Sequence, residues 1–272
     1  MRTWQKRELT RAGVRLRYRA SGDGHALIAL HGVSDSGACW GRTADALAGD
    51  GFRVLALDQR GHGESDAPEH GYAQQDYIAD VLALADAENA PSFTLMGHSF
   101  GGRNTLATAA AAPQRVAKLI LLDPPLMPAE TIPNSTAEAN AGRFAYFDWL
   151  RACQTQSAEQ LSVLKRVSNP GWRDDEYTAW AASKLQATPR LWGGNGIAWR
   201  PDWRPHLRLL HAPALLLRGE PDFGGLIPAE CAHEALTLKR DLRVITIASA
   251  GHDLHRDHFA ATLAAIRGFN AL

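Results

Sequence analysis

Phe93-Thr94-Leu95-Met96-Gly97-His98-Ser99-Phe100-Gly101-Gly102 passes from an apolar, strand-like run through a Gly-x-Ser-x-Gly pentapeptide into a segment of small residues. This order predicts a serine on a sharp strand-to-helix turn. There its hydroxyl stands clear of the sheet, and the next backbone N–H points to where a carbonyl oxygen would gain negative charge. A pentapeptide is short enough to occur by chance, so its neighbours decide. The segment 101–112 is rich in Gly and Ala, which lets a helix lie close against the sheet behind Ser99.

Working outward, short apolar runs bounded by turn residues recur at 14–18, 26–30, 53–57, 93–96, 118–122, 214–217 and 243–247. Several are nearly continuous in Leu, Ile, Val and Ala, the pattern of strands buried on both faces in a mainly parallel sheet. The run at 14–18 alternates apolar with Arg and suits an antiparallel edge. Helical patterns lie between the runs, the clearest at 74–88, where Tyr77, Ile78, Val81, Leu82 and Ala85 share one face. Strand alternating with helix implies an α/β fold with right-handed crossovers.

The alternation stops after Asp123. The following stretch opens with Pro124, Pro125, Pro128 and Pro133, offers no strand, and shows helical patterns at 141–152, 158–167 and 174–186. It reads as a helical cap, 124–206, inserted after the sixth of about eight strands into a core made of 1–123 and 207–272. Six of the eight tryptophans fall in it: Trp149, Trp172, Trp180, Trp192, Trp199 and Trp203. Aromatics there pack on one another or wall a pocket, which makes Trp149, Trp172 and Trp192 substrate-contact candidates, with His31 added from the core.

Composition narrows the classes. With 272 residues, 45% hydrophobic and 21% charged, the chain has ample material for one large core. Lys plus Arg equals Asp plus Glu at 29 each, so no general field favours nucleic acid or an anionic membrane. Cys39, Cys153 and Cys231 are an odd, widely spaced set that forms neither a disulfide framework nor a zinc motif. With no apolar leader and no run near the roughly 18 residues of a membrane span, a cytoplasmic protein is expected. The Gly-punctuated segment 58–65 lacks the spacing of a phosphate loop and reads as a turn that buttresses a site. The histidines show no metal-binding spacing, and neither metal nor cofactor is expected. Oligomeric state is not legible.

Ser99 requires a base and an orienting group, and two later strand-end loops offer them: Gly219-Glu220-Pro221-Asp222 and Gly251-His252-Asp253. Together with His31-Gly32, the loop Asp58-Gln59-Arg60-Gly61-His62-Gly63-Glu64-Ser65 and the pentapeptide, these landmarks resemble the α/β-hydrolase superfamily, in its form with a helical lid. The resemblance implies Ser99 as nucleophile, His252 as general base and Asp222 as the acid, with Asp123, at the end of the strand before the cap, as the position some relatives use instead. It also implies an oxyanion hole from the backbone N–H groups of Val33 and Phe100. His31 and His98, which flank strand ends, are expected to support the loops through hydrogen bonds.

A serine rather than an aspartate at the elbow points to acyl transfer. The leading expectation is hydrolysis of a carboxylic ester or lactone of small to medium hydrophobic character. The same triad also serves C–C bond hydrolysis, perhydrolysis, amide hydrolysis and thioester hydrolysis. From a different class, a lidded pocket can act as a slow-turnover small-molecule receptor, which rapid multiple turnover would exclude.

Overall fold

Eight strands form one sheet in the order β1-β2-β4-β3-β5-β6-β7-β8. They are β1 Gln5–Arg11, β2 Val14–Ser21, β3 His25–Leu30, β4 Phe52–Leu57, β5 Phe93–His98, β6 Val116–Leu122, β7 Ala214–Arg218 and β8 Arg243–Thr246. The computed structural model describes residues 4–129, 136–192 and 202–271, except for the side chains of 136–144 and Trp192. The β1–β2 and β2–β4 pairs are antiparallel and the other pairs parallel, so the chain has an α/β fold with a mostly parallel sheet. β1 is absent from the sequence-based set because Gln-Lys-Arg-Glu-Leu-Thr-Arg carries almost no apolar signal; its pairing with β2 makes it a strand. Lys6 and Arg7 find partners outside the sheet, on Glu64 and Glu88, while Glu8 pairs with Arg17 of β2.

The central strands bury both faces, as their apolar runs require. Ile28 and Leu30 of β3, Leu119 and Leu121 of β6 and Leu216 of β7 face one core. That core is shared with α2 (Gln74–Ala87), α3 (Phe100–Ala111) and α8 (Ala229–Leu238). Their alternate neighbours Leu27, Ala29, Ile120, Leu122, Leu215 and Leu217 face the other, under α1 (Gly41–Gly49) and α10 (Phe259–Asn270). Between β6 and β7 lie α4 (Thr136–Gln154), α5 (Ala158–Ser168), α6 (Asp174–Gln186) and the short α7 (Arg204–Arg208). After β8 a single turn, α9 (Leu254–Asp257), leads into α10.

At the centre, α3 approaches the sheet more closely than any side chain would allow. A Cβ on Gly101 would stand 2.1 Å from the Leu30 carbonyl oxygen, and one on Gly97 would stand 2.5 Å from that of Gly101. Both obstacles are backbone, so neither can swing aside. Gly101→Ala is therefore expected to lower stability by about 3 kcal/mol or more, a Tm drop of roughly 6 °C or more. Gly268→Ala, on α10 with nothing within 4 Å of its would-be Cβ, should instead gain about 0.5–1 kcal/mol from helix propensity. Thermal unfolding followed by circular dichroism checks both signs.

Candidate active site

Ser99 occupies the corner between β5 and α3 with φ 53° and ψ −120°, a conformation that costs a side-chain-bearing residue about 1–3 kcal/mol. The surroundings hold it there: Ser99 N–H donates to the Leu122 carbonyl at 3.0 Å, and Arg103 N–H donates back to the Ser99 carbonyl at 3.1 Å. Ser34 and Asp123, also at positive φ, lie in the two loops that flank this corner. Strain is thus concentrated where the chain turns at the carboxyl edge of the sheet.

Val33 and Phe100 both line the cavity beside Ser99, and neither N–H has an acceptor among the backbone hydrogen bonds of the described residues. Phe100 opens α3, so its N–H is one of the four a helix start leaves over. The Val33 loop is held from beneath. His31 Nδ1–H donates to the Gly32 carbonyl at 2.8 Å, and Gln59 N–H donates to His31 Nε2 at 3.1 Å. Asp58 receives the N–H groups of Gly37 and Glu64 at 2.6 and 2.9 Å, so segment 58–65 is a buttress. His31 is buried and outside the cavity wall. The expectation that it touches substrate is corrected, because both ring nitrogens are engaged in loop support and burial holds its pKa below the usual value.

The acid also requires correction. His252 Nδ1–H donates to Asp123 Oδ2 at 2.7 Å, whereas Asp222 lies exposed in the turn Pro221–Phe223. Asp123 is fully buried and also receives the N–H groups of Leu226 at 2.8 Å and Gly219 at 3.3 Å. The β7 loop, where the family resemblance places the acid, supplies backbone donors to the β6 carboxylate instead. Burial pulls the His252 pKa down, but the hydrogen bond and charge of Asp123 outweigh it, and the net shift is upward from 6.5. His98 Nε2–H donates to the His252 carbonyl at 2.9 Å, and its ring lies 4.5 Å from the His252 ring. Burial, reinforced by His252, pushes the His98 pKa down to about 4, so His98 supports as a neutral group.

Ser99 and His252 open into one cavity of about 410 Å³. Trp149 lines it together with Tyr146 and Trp180, which had not been singled out as contacts. Tyr146 hydroxyl contacts Ser34 Oγ at 2.7 Å and donates to the Val33 carbonyl at 3.2 Å, tying α4 to the loop beneath. Trp172 does not reach the cavity. It stacks on Tyr177 and donates Nε1–H to Asp257 at 2.6 Å, so its contact role is corrected to one of packing. The side chain of Trp192 and all of Trp199 lie outside the described residues.

Sequence reasoning missed the charges in this wall. Arg103, Lys165, Lys184, Asp35 and Asp253 all line the cavity. Lys184 Nζ donates to Asp35 at 2.5 Å, and Arg256 reaches Asp35 at 2.7 Å and Asp253 at 3.2 Å. Burial acts to raise the Asp35 pKa, but Arg256 and Lys184 hold it well below the usual carboxylate range. No spacing in the chain connects residues 35, 184 and 256; only Asp253, beside His252, was within reach of a sequence signal. Among the described residues, no group of three His, Cys, Asp or Glu is placed to hold a metal ion. No described helix is long and apolar enough to cross a membrane.

The model of the alpha/beta hydrolase fold family matches residues 25–259. The chain belongs to this family and is a hydrolase. It is 29% identical over 264 residues to 2-(acetamidomethylene)succinate hydrolase of Mesorhizobium japonicum, covering 94% of this chain and 91% of that one. It is likewise 29% identical over 280 residues to N-formylmaleamate deformylase of Pseudomonas putida, covering 94% and 93%. The crystal structure of E-2-(acetamidomethylene)succinate hydrolase superposes with a TM-score of 0.76 at 24% identity, over 99% of this chain and 100% of that one.

Asp123→Asn should lower kcat/KM by roughly 10³–10⁴-fold, while Asp222→Asn, at an exposed site, should change it by about twofold or less. A base must be neutral to accept a proton, so activity should fall as pH drops through the raised His252 pKa, on the alkaline side of 6.5. In Asp123→Asn that limb should move to lower pH. A kcat/KM–pH profile of the three proteins checks both points.

Proposed function

We propose that this hydrolase works through an acyl-enzyme on Ser99. Ser99 Oγ attacks the substrate carbonyl carbon as its proton passes to His252 Nε2. The N–H groups of Val33 and Phe100 receive the oxyanion, and Asp123 steadies the imidazolium through Nδ1. Collapse expels the leaving group, which takes the proton from His252. Water then adds to the acyl carbon by the same route, releasing the acid and restoring Ser99. The observation that carries this reading is the 2.7 Å hydrogen bond from His252 to buried Asp123, behind the cavity that Ser99 and His252 both line. The helices between β6 and β7 act as the lid, since they contribute Tyr146, Trp149, Lys165, Trp180 and Lys184 to its wall.

For the bond cleaved, a small N-acyl group replaces the ester or lactone as the leading class. The names of the two relatives describe an acetamido and an N-formyl compound, and the wall is less uniformly apolar than its tryptophans suggested. A fluorophosphonate is expected to add once, at Ser99, by intact-mass and peptide analysis, and Ser99→Ala should lose roughly 10³-fold or more in kcat/KM. On a panel of N-formyl and N-acetyl amides, 4-nitrophenyl acetate and a γ-lactone, preference for the amides supports the N-acyl assignment. Preference for the oxygen esters would overturn that assignment, and unchanged turnover in Ser99→Ala would overturn the mechanism.

A further inference from the structure

Among the described residues, the charge cluster beside His252 is more positive than negative: Lys165, Lys184, Asp35 and Asp253 line the cavity, and Arg256 lies buried behind them. Among the described residues, Lys165, Lys184 and Arg256 meet there with only two carboxylates, Asp35 and Asp253. Lys184 is closely held, by Asp35 at 2.5 Å, the Ser34 carbonyl at 3.1 Å and Ser183 Oγ at 3.4 Å. Arg256 is almost fully buried and spans both carboxylates at 2.7 and 3.2 Å. Of the neighbouring carboxylates, buried Glu176 faces Arg42 at 3.7 Å, and Asp257, exposed to water, takes hydrogen bonds from Trp172 and Asn169.

Lys165 is the cation left with capacity. Among the described residues its Nζ reaches one side-chain oxygen, Asp253 Oδ2 at 3.5 Å, and Asp253 is already shared with Arg256. An ammonium carries three donors, and one of them has a partner among the described residues. The head lies over the rings of Trp172 and Trp180, 4.4 and 5.2 Å from their centres, and only 14% of the side chain is exposed. The aromatic faces hold the charge in place without neutralising it. Lys165 comes from α5, so it enters this wall from the lid, across from Ser99 on the core.

We infer that Lys165 is the anchor for a substrate carboxylate, which makes the natural substrate a small N-acyl acid rather than a neutral hydrophobic compound. The inference rests on the acyl-hydrolase reading for the placement of the acyl group, but the anion site can be tested without turnover. A carboxylate on Lys165 balances the third cation of the cluster and lies in a partly dry pocket, where a charge-assisted hydrogen bond is strongest.

The test is calorimetric titration of succinate and of its neutral isostere succinamide into the wild-type protein, Lys165→Met and Lys165→Arg. Wild type is expected to bind succinate roughly tenfold or more tightly than succinamide. Lys165→Met should erase that preference with succinamide affinity unmoved, and Lys165→Arg should keep most of it. Equal affinity for the two ligands in wild type, or no succinate binding up to roughly 10 mM, would overturn the proposal. So would an equal weakening of both ligands in Lys165→Met, which marks a purely structural lysine. Repeating the titration on Ser99→Ala separates the two readings: succinate preference without fluorophosphonate labelling of wild type would retain the anion site and remove the acyl-enzyme. Labelling without the preference would do the reverse.

Discussion

α3 meets the ends of β3 and β5 backbone to backbone, and the candidate site depends on that close approach. Gly97, Gly101 and Gly102 leave room for backbone to meet backbone, which forces the intervening Ser99 into a strained corner. That corner lifts the hydroxyl off the sheet and aims the Phe100 N–H into the cavity. The loop that carries Val33 is drawn in by the same contact, because Gly101 packs against the carbonyls of Leu30 and His31. A single steric constraint thus places Ser99, Phe100 and the Val33 loop on a common rigid base, with the penalty met by cores on both faces of the sheet.

A second arrangement turns on which strand end supplies the carboxylate. The ends of β6 and β7 are neighbours, joined where Asp123 N–H donates to the Leu217 carbonyl at 2.8 Å, so a carboxylate on either could reach His252. Here the β7 loop turns outward at Pro221, leaving Asp222 in water, and curls its backbone around Asp123. The buried Asp123 gains three donors, His252 included, which offsets the cost of desolvating its charge. The imidazole is then held by Asp123 at Nδ1 and by the tilted ring of His98, 4.5 Å away.

The helices between β6 and β7 bring polarity as well as aromatic surface. Lys184 and Lys165 cross from them to Asp35 and Asp253, while Tyr146 reaches the Val33 loop. These contacts couple the covering helices to both the oxyanion loop and the histidine loop. They also turn a pocket that its tryptophans would make apolar into one with charge on one wall.

Much of the architecture was legible in the chain because it rests on local physics. Apolar runs with both faces buried specify parallel strands, small residues after Ser99 specify a close helix, and helix α6 was bounded at 174–186 by its own pattern. The elbow, the histidine after Gly251 and the buttress loop were legible for the same reason: each is a turn whose residues are chosen by local geometry. Three things were decided only by tertiary structure: which carboxylate meets His252, the separation of Trp149 in the cavity from Trp172 in packing, and the position of Lys165 at the cavity wall. Asp123 and Asp222 both follow strands, Trp149 and Trp172 both sit in helical cap sequence, and Lys165 looks like any solvated helix lysine. What distinguishes them is burial and the charges that long-range folding brings within a few ångströms, and neither is written in the spacing of residues along a chain.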